Sequence, residues 1–147
     1  MSRVEQAVER FKDGFNCSQA VFGSYGEQFG VDCESAFRVA TGFGGGMHID
    51  SVCGAVTGAF MVLGLKYGNV TAEDKESKAK TYEKVMEYTK RFIARNGSVV
   101  CKELLGCDIS RPDGMKKAQD DGLFDSICPQ MVRDAAEILE EMLGEDG

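Results

Sequence analysis

Apolar residues recur every three or four positions along most of the chain, a period that is typical of amphipathic α-helices. Residues 3–12 show it first, with one apolar face made of Val4, Ala7, Val8 and Phe11. The β-branched alternation that predicts strands is scarce, and only two prolines interrupt the chain. The pattern predicts an all-α fold in which residues 1–147 form a single compact domain of about five to seven helices.

Capping residues give the limits of the first helices. Asn16 and Asp32 carry side-chain oxygens that can cap the helices after them, and Gly30 is a stop signal between the two. A later helix, beginning at Asp50 or Ser51, is apolar on most sides, so we expect it in the centre of the core. The first four predicted helices therefore cover residues 3–12, 17–29, 33–40 and the run from residue 50 or 51 to about residue 65.

The fifth predicted helix starts after Thr71 and ends before Asn96-Gly97. Acidic residues crowd its start and basic residues its end, which suits the helix dipole. Its apolar stripe consists of Ala79, Tyr82, Val85, Met86, Thr89, Phe92 and Ile93. Beyond it, the pattern predicts a short helical piece over 101–105, an irregular polar segment over 108–125 and a last helix over about 129–143.

Charge and hydropathy exclude several classes of protein. The net charge of −7 argues against binding to nucleic acid or to an anionic membrane, since both need clustered Lys and Arg. No secretory signal is visible at the start of the sequence. The most apolar run, residues 52–65, is too short to span a bilayer, so we expect a cytoplasmic protein with no membrane insertion.

Six cysteines in such a chain point to thiol chemistry or metal binding rather than to a disulfide framework. Four of them are predicted in or beside the first turn of a helix: Cys17, Cys53, Cys101 and Cys128. The unpaired backbone N–H groups and the positive dipole end there favour a thiolate, which redox and metal-ligating cysteines both require. Cys33 shares this placement beside two acidic residues, whereas Cys107 follows Gly106 just past a helical turn.

Plain packing is the alternative for each of these cysteines, because free cysteine is often a small buried apolar residue. No CxxC occurs, which argues against a thioredoxin-like motif and against a zinc ribbon. A shared site would therefore have to be assembled by the fold.

Glycines surround Cys53 in sequence, and five of them are candidates for a cofactor-binding surface: Gly44, Gly45, Gly46, Gly54 and Gly58. A bare backbone beside a cysteine can admit another helix, a bulky inorganic centre or a second thiol-bearing chain. Tight helix packing through small residues is the simpler interpretation. The glycine order does not fit a dinucleotide fingerprint, and the only histidine, His48, could be a ligand, a proton carrier or a solvated residue.

Several segments together resemble the C_GCAxxG_C_C family of redox-active proteins. They are Asn16-Cys17-Ser18-Gln19-Ala20-Val21, the loop 42–47, Cys53-Gly54-Ala55-Val56-Thr57-Gly58, the stretch 96–106 around Cys101, and Cys128 with residues 132–136. The resemblance implies a small cysteine-dependent protein of bacteria and archaea, and a similar domain occurs in a split-Soret type cytochrome c for which an iron–sulfur centre has been proposed. Its motif cysteines correspond to Cys17, Cys53, Cys101 and Cys128, the four that helix placement had singled out.

Three hypotheses follow. In the first, these four thiolates bind an iron–sulfur centre, most simply [2Fe–2S], and the chain exchanges electrons with a redox partner protein. In the second, Cys53 attacks a disulfide and Cys101 or Cys128 resolves it, as in a thiol–disulfide oxidoreductase. In the third, a structural zinc holds the helices together. The glycine-lined faces and the apolar central helix also suggest self-association as a homodimer.

Overall fold

The computed structural model describes residues 1–145 and contains α-helices and short 3-10 turns, with no strand in that range. The helices are α1 (Arg3–Lys12), α2 (Cys17–Tyr25), α3 (Cys33–Ala40), α4 (Gly54–Tyr67), α5 (Lys75–Asn96), α6 (Cys101–Leu105), α7 (Pro112–Asp120), α8 (Leu123–Ser126) and α9 (Cys128–Glu145). The all-α prediction is confirmed. The expected number of helices was slightly low, because neither α7 nor α8 was predicted.

The helix starts follow the capping chemistry read from the sequence. Asn16 accepts a hydrogen bond from the Gln19 N–H at 2.9 Å while the Gln19 side chain accepts one from the Asn16 N–H at 3.0 Å, a complete capping box. Asp32 caps α3 through the Ser35 N–H at 2.9 Å. For α5 the cap is Asp74 rather than Thr71, so this helix begins slightly later than predicted.

Two predicted segments differ from the structure. The helix expected from residue 50 or 51 begins at Gly54, because residues 46–50 form a tight turn with left-handed backbone instead. The segment 108–125, predicted to be irregular, contains α7 and α8. Pro112 is the first residue of α7, a position whose N–H group makes no hydrogen bond within the helix, so proline costs nothing there. This start was not predicted because the segment is polar.

The core lies between α2, α4 and α9. Half of the residues of α4 are buried and only Leu65 is exposed, and the helix packs chiefly on α2, as its apolar character predicted. In α5, by contrast, only Tyr88 and Phe92 are buried, and four members of its apolar stripe are exposed: Ala79, Tyr82, Met86 and Ile93. The Tyr88 hydroxyl donates a hydrogen bond to the Ala135 carbonyl of α9 at 2.8 Å, which fixes the rotation of α5.

Ion pairs fasten α5 to α9. Arg95 contacts Glu137 and Glu141, each at 2.8 Å, and Arg91 contacts Glu145 at 2.9 Å. The acidic residues of α9 therefore face the basic end of α5. The basic residues there pair with a neighbouring helix in addition to complementing the dipole of their own helix.

A second, smaller apolar cluster lies beside the core. Its buried members are Cys101, Leu105, Ile109 and Ala118, and Cys107 and Cys128 pack against them. The cluster joins α6 and α7 to the start of α9. Within the described part of the chain, no helix combines the length and the apolar character needed to cross a bilayer.

Candidate functional site

Four cysteines that are far apart in sequence line one cavity of about 170 Å³ between the core and the smaller cluster: Cys17, Cys53, Cys101 and Cys128. The rest of the wall is largely apolar and includes Phe11, Leu104, Ile109, Met115, Phe124 and Met131. A dry apolar cavity of roughly 150 Å³ is large enough for a benzene molecule. The volume is therefore sufficient for a small ligand or an inorganic centre.

Each cavity cysteine lies at a helix start. Cys17, Cys101 and Cys128 are the first residues of α2, α6 and α9, and Cys53 is the N-cap of α4. Cys33 also begins a helix, α3, but its sulfur faces Glu27 and Arg10 instead of the cavity. The placement read from the sequence is confirmed for all five.

A short pairing of two loops sets Cys53 next to Cys101. Val52 and Val100 form an isolated antiparallel bridge, in which the Cys53 N–H donates to the Val99 carbonyl at 2.7 Å. On the other side, the Cys101 N–H donates to the Ser51 carbonyl at 2.9 Å. The bridge ties the start of α4 to the start of α6, so their cysteines enter the cavity from adjacent backbone.

The sulfur of Cys17 accepts hydrogen bonds from the Cys53 thiol and from three backbone N–H groups, those of Gly45, Ser18 and Gly54. The bond from the Cys53 thiol is the largest cause that lowers the pKa of Cys17 to about 6, and the N–H groups act in the same direction against the effect of burial. These contacts therefore favour the thiolate form of Cys17.

The other three cavity thiols behave in the opposite way. The pKa of Cys53 lies well above its usual value, because its S–H is held by Cys17 and because it is buried. Burial, with the nearby Cys17 charge, raises the pKa of Cys101 and of Cys128 to about 12. The expectation that every helix start would favour a thiolate was thus wrong for these three. At Cys53 the hydrogen bond with Cys17 and burial outweigh the Ala55 N–H group, and at Cys101 and Cys128 burial is the largest cause.

Two glycines of the candidate set, Gly46 and Gly54, allow the backbone to come close to a cysteine. A β-carbon at Gly54 would lie 2.5 Å from the Cys17 sulfur and 2.9 Å from the Gly44 Cα. At Gly46 it would lie 2.8 Å from the Cys101 Cβ. Both positions therefore require glycine for the approach of a cysteine.

The remaining glycines have different surroundings. Gly44 and Gly45 line the cavity, and a β-carbon at Gly44 would collide with the side chain of Asn16. Gly58 packs against α2, where a β-carbon would lie 2.8 Å from the Ser18 carbonyl oxygen. Tight helix packing is the correct explanation at Gly58, and close approach to a thiol is the correct one at Gly54.

The turn beside the cavity holds three non-glycine residues in the left-handed region: Met47, His48 and Asp50, with φ of 60°, 56° and 58°. Such a conformation costs roughly 1–3 kcal/mol per residue and is common at functional sites. His48 is exposed at the cavity edge, and Asp50 pairs with Lys102 at 3.7 Å. The Asp50 carboxylate also contributes to the raised pKa of Cys101, although burial is the larger cause.

The cysteines are free thiols in this structure. Within residues 1–145, no group of three or more His, Cys, Asp or Glu side chains is positioned to hold a metal ion. The donor set nevertheless suits an iron–sulfur centre, because four thiols surround one apolar cavity and three N–H groups point at one of the sulfurs.

A family model described as "Putative redox-active protein (C_GCAxxG_C_C)" matches residues 15–142. The chain belongs to this family. The matched range contains the whole cavity wall except Phe11. No curated protein and no solved structure matches the chain.

Sequence reasoning missed some neighbours of the site. Met115 and Phe124 come from the segment that was predicted to be irregular, and neither belongs to a periodic apolar stripe. Tyr88, which nothing in the sequence distinguished from the other tyrosines, lies close enough to Cys53 for the Cys53 charge to contribute to its raised pKa, after burial. Cys107 lies near Cys101, in the smaller apolar cluster.

Proposed function

We propose that the chain is an electron-transfer protein in which Cys17, Cys53, Cys101 and Cys128 bind an iron–sulfur centre, most simply [2Fe–2S]. The observation that carries the proposal is the single cavity lined by all four thiols, each from the start of a different helix. Thiols spread around a cavity suit a centre with several metal atoms better than one ion, which needs all its ligands about 2.3 Å from one point. The bound centre would supply one-electron transfer.

The residues around the thiols would tune such a centre. The N–H groups of Gly45, Ser18 and Gly54 donate to the Cys17 sulfur and so stabilise negative charge on it. The largely apolar wall lowers the polarity around the sulfurs, which strengthens those hydrogen bonds. Exchange of electrons with a redox partner protein is part of this proposal, and the family's redox description supports it.

Anaerobic reconstitution of the reduced chain with iron and sulfide tests the proposal. We expect iron and sulfide to bind in equal amounts, with visible charge-transfer absorption that each of the four changes Cys17→Ser, Cys53→Ser, Cys101→Ser and Cys128→Ser weakens or abolishes. Cys33→Ser and Cys107→Ser are the matched controls and should keep the centre. A wild-type chain that binds no iron contradicts the proposal, and one zinc per chain without iron or sulfide supports a structural zinc site instead.

The contact between Cys17 and Cys53 favours a second candidate, a thiol–disulfide oxidoreductase. The two side chains are hydrogen-bonded to each other, and the thiolate character belongs to Cys17. Cys17 is therefore a better candidate nucleophile than Cys53, which the sequence hypothesis had assigned to attack. In this candidate Cys53, not Cys101 or Cys128, resolves the mixed disulfide.

The chemistry of this candidate balances in two steps. The Cys17 thiolate attacks one sulfur of a partner disulfide, which forms a mixed disulfide and releases one partner thiolate. Cys53 then loses its proton to that thiolate and attacks the Cys17 sulfur, which releases the second partner sulfur as a thiolate that takes a proton from water. The partner disulfide gains two electrons and two protons, and the chain is left with a Cys17–Cys53 disulfide.

Mass spectrometry after differential alkylation separates the two candidates. Metal-free chain treated with a small disulfide should yield linked peptides of Cys17 and Cys53 if the second candidate is correct. Linked peptides of other cysteines, or none, contradict it and leave the result of iron reconstitution unaffected.

A further inference from the structure

Five members of the apolar stripe of α5, without Val85 and Phe92, form an outer stripe in which only Thr89 is half-buried: Ala79, Tyr82, Met86, Thr89 and Ile93. Tyr82, Met86 and Ile93 are 59%, 65% and 42% exposed. Together with Ala79 and Thr89 they recur at alternating steps of three and four residues along a 22-residue helix. This is the spacing of the a and d positions in a coiled coil, where apolar side chains meet those of a second helix.

The contacts of α5 within the chain use its other sides. Tyr88 and Phe92 are buried against the core, and Arg91 and Arg95 contact acidic residues of α9. On a helix with 3.6 residues per turn, the stripe centred on Met86 points away from Tyr88, Arg91 and Arg95. A contiguous exposed apolar stripe of this kind marks a site of interaction.

We propose that this stripe is the surface through which two copies of the chain associate, with α5 of one copy antiparallel to α5 of the other. The exposed residues Glu83 and Lys90 lie on the same flank of the stripe, seven positions apart. A two-fold axis near the middle of the stripe places Glu83 of each copy beside Lys90 of the second copy. Each acidic residue on this flank thus meets a basic residue of the second copy.

The helix dipoles favour the same direction. Antiparallel packing sets the positive N-terminal end of each α5 beside the negative C-terminal end of the other. The glycines that first suggested self-association have no such role, because Gly54 and Gly58 are covered by Cys17 and α2 of the same chain.

Sedimentation of the full chain over a range of concentrations tests the proposal, under reducing anaerobic conditions that exclude disulfides between copies. We expect a monomer–dimer equilibrium whose Kd rises roughly 100-fold in Met86→Glu, because two buried methionines are lost from the symmetric contact. Val70→Glu is the matched control, since Val70 is 97% exposed but lies outside α5, and its Kd should equal that of the wild type.

Charge exchange tests the direction of packing. Glu83→Lys and Lys90→Glu alone should each raise Kd about fivefold, because each places like charges side by side, and the double change should restore it to within about twofold of the wild type. Failure of the double variant to recover overturns antiparallel packing. A wild-type chain that stays monomeric overturns the interface, and if that monomer floats with neutral-lipid vesicles unless Met86 is changed, the stripe is a membrane-binding surface instead.

Discussion

At Gly54, the addition of one methyl group would bring carbon within 2.5 Å of the Cys17 sulfur. The same residue gives its N–H group to that sulfur, so the close approach and the hydrogen bond are one arrangement. The dense glycines around Cys53 in the sequence therefore have specific partners. Gly54 allows the approach of a thiol and Gly58 that of a helix backbone. In both cases the neighbour belongs to α2, a segment more than 25 residues away in the chain.

Gly54→Ala tests this arrangement. We expect the change to lower the free energy of unfolding by about 1–3 kcal/mol, because the crowded sulfur and loop 43–44 have to move apart. Gly64→Ala, ten residues later in the same helix, has no atom within 4 Å of the added β-carbon and should be neutral or stabilising by up to about 1 kcal/mol. Urea unfolding of the reduced metal-free chains measures both, and equal effects would contradict the close contact.

Among the elements, α6, α7 and α8 differ most from the helices of the core. Two of them, α6 and α8, are only one turn long, and all three pack in the smaller apolar cluster rather than at the interface of α2, α4 and α9. Together they supply one wall of the cavity through Leu105, Met115 and Phe124. Local opening of this segment would therefore widen the access of solvent to the cysteines.

Hydrogen exchange checks the prediction that this segment opens separately. Backbone amides of 113–126 should exchange at least about tenfold faster than those in the middle of α4 and α9, because fewer buried apolar contacts hold them. The amides near the middle of α1, another short helix but one packed on the main core, serve as the internal control. Exchange of all these amides at one common rate would show that the cavity opens only when the whole chain unfolds.

For the whole molecule, the cysteines that the fold brings together make stability depend on pH in two opposite ways. The pKa of Cys17 is lowered from 9.0 to about 6 in the folded chain, whereas the pKa of Cys101 and Cys128 is raised to about 12. A lowered pKa stabilises the fold above the unfolded pKa, and this contribution is lost as pH falls through the folded value. A raised pKa has the opposite effect on stability: its contribution is lost as pH rises from 9 toward 12.

We therefore expect the metal-free reduced chain to gain stability between about pH 6 and 9 and to lose it above pH 9. Cys17→Ser should remove the gain, and the double change Cys101→Ala and Cys128→Ala should reduce the loss. The midpoint of urea unfolding at several pH values measures both effects. Identical pH profiles in the wild type and the variants would contradict the assignment of the thiolate to Cys17.

Local chemistry was enough to predict much of this molecule. The starts of α2 and α3 follow from Asn16 and Asp32, because a cap bonds an N–H group only three residues away. The same short-range logic put five cysteines at helix starts. It failed for α7, whose polar sequence has no strong apolar period, and for the left-handed turn 46–50, which delays the start of α4.

Only the packing of the helices decided the charge on each thiol and the exposure of each apolar stripe. The pKa of Cys17 is lowered chiefly by the Cys53 thiol and then by N–H groups that include those of Gly45 and Gly54, which come from other parts of the chain. Burial is the largest cause of the raised pKa of Cys101 and Cys128. Periodicity likewise predicted the apolar positions of α5. The contact of Tyr88 with α9 fixes the rotation of this helix, and Met86 therefore faces solvent. The solvation of each thiol and the orientation of each apolar side chain are set by residues distant in sequence, so both are decided only when the chain has folded.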